Sequence, residues 1–168
     1  GAFSWLTNLQ SLDFSNNLFD GILPSDLFNA LTNLSSLQFH SNNFSWPVPS
    51  LMTNTGLTFL ATYGNRFNFS DLKSVTEVTI APEFNTYSPQ EIFSLTRSWN
   101  TINAENAGTL SWGTSTYEWY TITGVLVFTG TNEARFTPPF SWGFYAQAYN
   151  SLLPNLTLLS DTVTVTDL

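Results

Sequence analysis

The sequence has no cysteine, one histidine (His40), one methionine, and four basic side chains (Arg66, Lys73, Arg97 and Arg135) against twelve acidic ones. Without cysteine there is no disulfide, no thiolate metal site and no cysteine nucleophile. One histidine cannot supply the nitrogen ligands of a three-ligand zinc site. No loop carries the density of Asp and Asn that calcium requires. Neither a metal nor a cofactor is therefore expected. The net charge of −8 leaves no basic stripe to neutralise phosphates, so nucleic acid is not an expected partner. An anionic membrane surface is disfavoured for the same reason. The acids are scattered, which serves solubility more than a focused field. No apolar run approaches transmembrane length, so no membrane insertion is expected. The opening residues, Gly1, Ala2, Phe3, Ser4 and Trp5, do not read as a signal peptide. The chain starts almost inside a repeat, which reads as a mature or partial chain.

Catalytic constellations are also scarce. A Ser-His-Asp arrangement would have to use His40 with Ser15 or Ser41 and with Asp13, all on one exposed strand face. There is no Gly-x-Ser-x-Gly elbow, and a flat face does little to exclude water. Asp13, Asp20 and Asp26 show no spacing that would make a carboxylate pair. The chain is read as non-enzymatic, with no catalytic residue.

What is present is a repeat. Leu6, Leu9, Leu12, Phe14, Asn17, Phe19, Gly21 and Pro24 recur as Leu31, Leu34, Leu37, Phe39, Asn42, Phe44, Trp46 and Pro49, and more loosely as Leu57, Leu60, Asn65 and Phe67. Such a period means stacked coils, each too small to bury its own apolar row. Leu12 and Phe14, and likewise Leu37 and Phe39, are two apart and point to one face of a short strand. Asn17, Asn42 and Asn65 are expected to form a ladder that satisfies backbone groups of adjoining coils. Phe19, Phe44 and Phe67 are expected to stack beneath it. Two amphipathic helices are excluded because Asn-Asn, Asp-Gly and Pro interrupt each one. A helical turn at residues 25–30, with Ser25 as N-cap, is expected between the first two coils. Residues 75–80, with Val75, Val78 and Ile80, read as a closing strand.

The pattern L-x-x-L-x-x-L-x-F-x-x-N-x-F-x-G of residues 6–21 resembles the leucine-rich repeat. The resemblance implies a concave strand face that binds partners. Its outward positions are Gln10, Ser11, Asp13 and Ser15, then Ser35, Ser36, Gln38 and His40, then Thr58, Phe59, Ala61 and Tyr63. Asp13, Gln38, His40, Phe59 and Tyr63 are the candidate ligand-binding residues. His40 beside Tyr63 and Phe59 is the one cluster that joins aromatic rings to a titratable group.

After Pro82 the text changes. Ser88, Pro89, Gln90 and Glu91 make a capping box, which leaves a helix over 89–99 as one reading. The other is a linker into a first strand. From Thr109 onward short alternating segments follow at even spacing: 109–112, 117–120, 124–128, 134–136, 143–149 and 162–166. Tyr117-Glu118-Trp119-Tyr120 resembles strand C of an immunoglobulin-like domain, with Trp119 filling the core. Gly143-Phe144-Tyr145 resembles the start of strand F, with Tyr145 in the tyrosine-corner place and Gln147 where a cysteine is usual. The whole resembles bacterial cell-surface proteins in which leucine-rich repeats precede an immunoglobulin-like module. The expected fold is mainly β, with a repeat solenoid over 1–81 and a sandwich over 82–168.

This resemblance implies an extracellular or cell-surface protein for adhesion, protein contact or self-assembly into a fibre. The alternative is a ligand or carbohydrate recognition module on the concave face. Leu9, Leu12 and Phe14 at one end, and Val163 and Val165 at the other, are candidate assembly edges, because exposed strand edges invite pairing with another chain. The expected partner is another protein, copies of itself included. Glycan is the further candidate. Asn33, Asn43, Asn68 and Asn155 head N-x-S/T sequons and are candidate glycosylation sites.

Overall fold

The computed structural model describes residues 2–108 and 113–166. Contacts divide the chain into two compact units, Gly1–Gln90 and Glu91–Leu168.

The first unit is a stack of coils, each contributing one short strand. Strands β1 (Ser11–Asp13), β3 (Ser36–Gln38), β5 (Phe59–Ala61) and β6 (Asn85–Thr86) form a parallel sheet in that order. Leu12 pairs with Leu37, Leu37 with Leu60, and Leu60 with Asn85. On the opposite side of the first two coils, β2 (Asp20–Gly21) pairs in parallel with β4 (Asn43–Phe44). The leucines at the repeat positions point inward, and Leu31, Leu34, Leu37 and Leu60 are fully buried. Phe14 stacks on Phe39 at 5.7 Å, and Phe19 on Phe44 at 6.1 Å. Phe67 meets Phe39 edge-on at 6.2 Å instead of continuing the Phe19–Phe44 stack. Residues 25–30 form consecutive turns, with Leu27 N donating to Pro24 O and Asn29 N to Asp26 O.

The closing strand lies elsewhere than at residues 75–80. Lys73–Thr76 is a single helical turn, α1, and buries Ser74 and Val75. Ser74 Oγ donates to Val48 O at 3.0 Å. The strand that closes the sheet is β6, which carries no apolar alternation. Residues 82–90, read from sequence as part of the second domain, belong to the first unit. Thr62 N donates to Thr86 O at 2.7 Å and Gly64 N to Pro89 O at 2.6 Å. No helix forms over 89–99, where β7 (Thr96–Ser98) is a strand.

The two sheets of the second unit are antiparallel, and Phe93 adds one parallel bridge to Ser160. One sheet has the order β10 (Leu126–Thr131), β9 (Ser115–Thr121), β12 (Gly143–Asn150), β13 (Thr157–Leu159), with β14 (Val163–Thr164) also paired to β12. A second sheet has the order β11 (Arg135–Phe136), β8 (Thr101–Asn103), β7. Trp119 is fully buried and stacks on Phe136 at 5.3 Å, and Phe136 meets Phe144 at 5.5 Å. The expected strand at 109–112 lies outside the described residues.

The register of β12 differs from the resemblance by one residue. Phe144, Ala146 and Ala148 face the core, opposite Thr121, Trp119 and Tyr117. Tyr145 and Gln147 face the other way, opposite Tyr120 and Glu118. Small alanines on the inner face leave room for the two large rings of β9, and that fixes the choice. On the outer face Tyr120 stacks on Tyr145 at 5.2 Å, and the hydroxyls of Tyr120 and Tyr149 donate to Glu118 Oε2 at 2.7 and 3.0 Å. Partial burial, then the bond to Glu118, push the Tyr149 hydroxyl above its ordinary range. The bond to Glu118, more than burial, does the same for Tyr120.

Candidate functional site

The repeat places its residues in rows across the parallel sheet. Asp13 lies in register with Gln38, and Gln38 with Ala61. Continuing the register sets His40 beside Tyr63. Their rings stack at 4.3 Å, 9° from parallel. His40 Nδ1 lies 3.1 Å from Ser41 Oγ. Phe59 is half-buried and tilts against Phe84 at 6.5 Å. Ala61, expected to face outward, is buried.

Asp13 is exposed and makes a local turn, with its Oδ1 accepting Ser15 N at 2.9 Å and Ser15 Oγ at 2.6 Å. The Ser15 hydroxyl and then the Ser15 amide hold its carboxyl below the usual value. Asp13 therefore pairs with Ser15, and His40 with Ser41, as two separate contacts. Among the described residues no group of three or more His, Cys, Asp or Glu gathers as metal ligands. No helix among them is long and apolar enough to cross a membrane.

The asparagines make the coil-to-coil bonds. Asn42 Nδ2 donates to Phe14 O, Phe39 O and His40 O, and its Oδ1 accepts Phe19 N. Asn65 Nδ2 donates to Phe39 O, Thr62 O and Tyr63 O, and its Oδ1 accepts Phe44 N. Asn17 Nδ2 donates within its own turn, to Phe14 O and Ser15 O. Gln90 is a further rung that the motif did not suggest. Its Oε1 accepts Asn65 N and Phe67 N, and its Nε2 donates to Thr62 O and Tyr87 O. The signal was the spacing, since Gln90 follows Asn65 by the same interval that separates Asn17 from Asn42.

The candidate edges differ. Strand β1 is the outermost strand of its sheet. Phe14 N donates to Gln38 O on one side. Backbone alternation therefore turns the N–H groups of Ser11 and Asp13 away from β3. Leu9, Leu12 and Phe14 are half-buried and face the core. The exposed apolar groups of this coil are Leu18, at 89 % exposure, Ile22, at 63 %, and Phe19. At the other candidate edge, Val163 pairs with Phe144 and is half-buried. Val165 is 1 % exposed and its N–H donates to Trp142 O, so its side chain belongs to the core and not to an edge.

The sequons are spread over both units. Asn33 and Asn155 are exposed, and Asn43 and Asn68 half-buried. Asn33 Nδ2 donates to Thr7 O at 2.9 Å, and Asn68 Oδ1 accepts Ser70 Oγ and Asp71 N.

The family model for the Leucine Rich Repeat matches residues 8–30, the stretch that holds β1, β2 and the turns after them. No curated protein and no solved structure matches the chain.

Proposed function

We propose that the protein is a non-enzymatic contact module of the extracellular space or cell surface, combining a short leucine-rich repeat solenoid with an immunoglobulin-like sandwich. It holds other protein chains, copies of itself included, through the open edge of β1. Leucine-rich repeats are typically protein-interaction motifs and typically non-enzymatic. The observation that carries the reading is the edge itself. Strand β1 has a neighbour on one side, and its coil displays Leu18, Phe19 and Ile22 to solvent. A strand edge next to exposed apolar side chains is a template for another chain. Head-to-tail joining of this kind builds a filament when it does not close.

Light scattering of the full chain, alongside Leu18→Lys with Ile22→Lys, tests this. The expected result is a mass of several chains that falls to one chain in the double variant. A single-chain mass for the unaltered protein at every concentration overturns self-assembly.

The His40–Tyr63 stack favours a second reading, recognition of a ligand or carbohydrate on the strand face. Under that reading, His40→Ala with Tyr63→Ala abolishes binding in a glycan screen and leaves the mass unchanged.

A further inference from the structure

We infer that the outer face of the β9–β12 strand pair is a binding site for a neutral saccharide, held through two neighbouring hydroxyls of one sugar ring. The site lies in the second unit and is independent of the β1 edge and of the strand face around His40.

The first observation is convergence. Glu118 of β9 lies directly opposite Gln147 of β12, and in the rows on either side Tyr120 lies opposite Tyr145 and Thr116 opposite Tyr149. Residues directly opposite project from the same face of a sheet, and a spacing of two along each strand keeps all three rows on that face. These side chains are half-buried. Tyr117, Trp119, Ala146 and Ala148, which alternate with them, are buried in the core on the other side. Bonds across the rows join the group. The Tyr120 and Tyr149 hydroxyls both reach Glu118 Oε2, at 2.7 and 3.0 Å, and the Tyr149 hydroxyl also meets Gln147 Oε1 at 2.5 Å.

The second observation is what this network leaves unused. Both hydroxyls come to one carboxylate oxygen. Among the described residues nothing donates to Glu118 Oε1, and nothing accepts from the Gln147 amide N–H groups. The face therefore presents an acceptor beside a donor, both held in place by tyrosine hydroxyls.

The third observation selects the ligand. A hydroxyl both donates and accepts, so one hydroxyl of an adjacent pair donates to Glu118 Oε1 while its neighbour accepts from Gln147. A guanidinium or ammonium has donors only and would meet the Gln147 N–H groups donor to donor. A peptide group points its N–H and C=O in opposite directions and cannot serve both at once. No basic side chain stands in these rows to balance Glu118, which disfavours an acidic sugar. Apolar groups flank the polar pair. Leu126 lies opposite Tyr120 and Leu159 opposite Gln147, and they are 49 % and 45 % exposed. The Tyr120 and Tyr145 rings stack at 5.2 Å, close to the spacing of neighbouring strands, so they stand off the sheet as a wall. Leucine and ring surfaces of this kind suit the C–H groups of a sugar.

The test is NMR titration of the full chain with cellotriose and with mannotriose, following the backbone amides of β9 and β12 and the side-chain amide of Gln147. Trigalacturonate and the peptide Gly-Arg-Gly are the comparisons. At least one neutral trisaccharide is expected to give saturable shifts at these amides, and which one responds identifies the arrangement of the hydroxyls. Glu118→Gln is expected to weaken binding about tenfold, and Tyr149→Phe severalfold. Gln147→Glu, which replaces the donor with a second acceptor, is expected to abolish sugar binding and to admit Gly-Arg-Gly. His40→Ala is expected to change nothing. Unaltered backbone shifts elsewhere in each variant separate lost binding from lost fold. Absence of saturable shifts with either neutral sugar overturns the proposal. So does binding that Glu118→Gln and Gln147→Glu both leave intact, or tighter binding of Gly-Arg-Gly or trigalacturonate by the unaltered protein.

Discussion

Asn17 and Asn65 hold the same place in the same motif, yet their surroundings differ completely. Asn65 is fully buried and joins its own turn to the coil before it through Phe39 O and Phe44 N. Asn17 is exposed, and its side chain donates to carbonyls of its own turn, at Phe14 and Ser15, while only its backbone N–H reaches the next coil, at Ser41 O. The difference is the neighbour, since Asn65 has a coil on either side and Asn17 on one. In a stack of coils the weight of a position belongs to the interface it completes and not to the residue type.

Substitutions that keep the shape and remove the amide sharpen this comparison. Asn65→Leu leaves Phe44 N and several carbonyls buried and unpaired, at about 1–3 kcal/mol each and about 3–5 kcal/mol in sum. Urea unfolding followed by tryptophan fluorescence reads the loss. Gln90→Leu removes a half-buried rung and is expected to cost about 1–2 kcal/mol by the same measurement.

Asp71→Asn acts through pH. Burial raises the Asp71 carboxyl above its ordinary value, more than the Asn68 amide lowers it. Because the folded value is the higher one, the stability that protonation contributes is complete below the unfolded value. It is lost as pH rises through the folded one. The variant is therefore expected to melt higher than the parent at pH 7, with the gap narrowing toward pH 4. A gap that stays constant across that range contradicts the assignment. The smallest effect is expected for Asn17→Leu, within about 0.5 kcal/mol. If it costs as much as Asn65→Leu, the comparison breaks.

The inner coils were legible because their signal is local and recurrent. Leu12, Leu37 and Leu60 fall in register across three strands, at the spacing the sequence displays. The next coil was not legible. Val75, Val78 and Ile80 are β-branched and read as strand material, but Val75 is buried in the turn of α1 and the strand place falls to Asn85 and Thr86. Register with β5 sets that place, and no apolar pattern announces it.

Strand β12 was ambiguous for another reason. Phe144, Ala146 and Ala148 alternate with Tyr145, Gln147 and Tyr149, so either face could be apolar, and a slip of one residue reverses every side chain. Only the bulk of Trp119 and Tyr117 across the pair decides it. Of the candidate site residues, His40 and Tyr63 were readable as neighbours because the repeat fixes their row. Val165 was misread because its burial comes from contacts that local sequence does not contain.

Amide hydrogen exchange at Ser11 and Asp13, followed as the protein is concentrated, tests the role of the β1 edge most directly. These N–H groups point away from β3, and contact through the edge predicts that their exchange slows with concentration while the amides of β3 and β5 stay protected throughout. Fast exchange at Ser11 and Asp13 at every concentration, with the mass of a single chain, would contradict it.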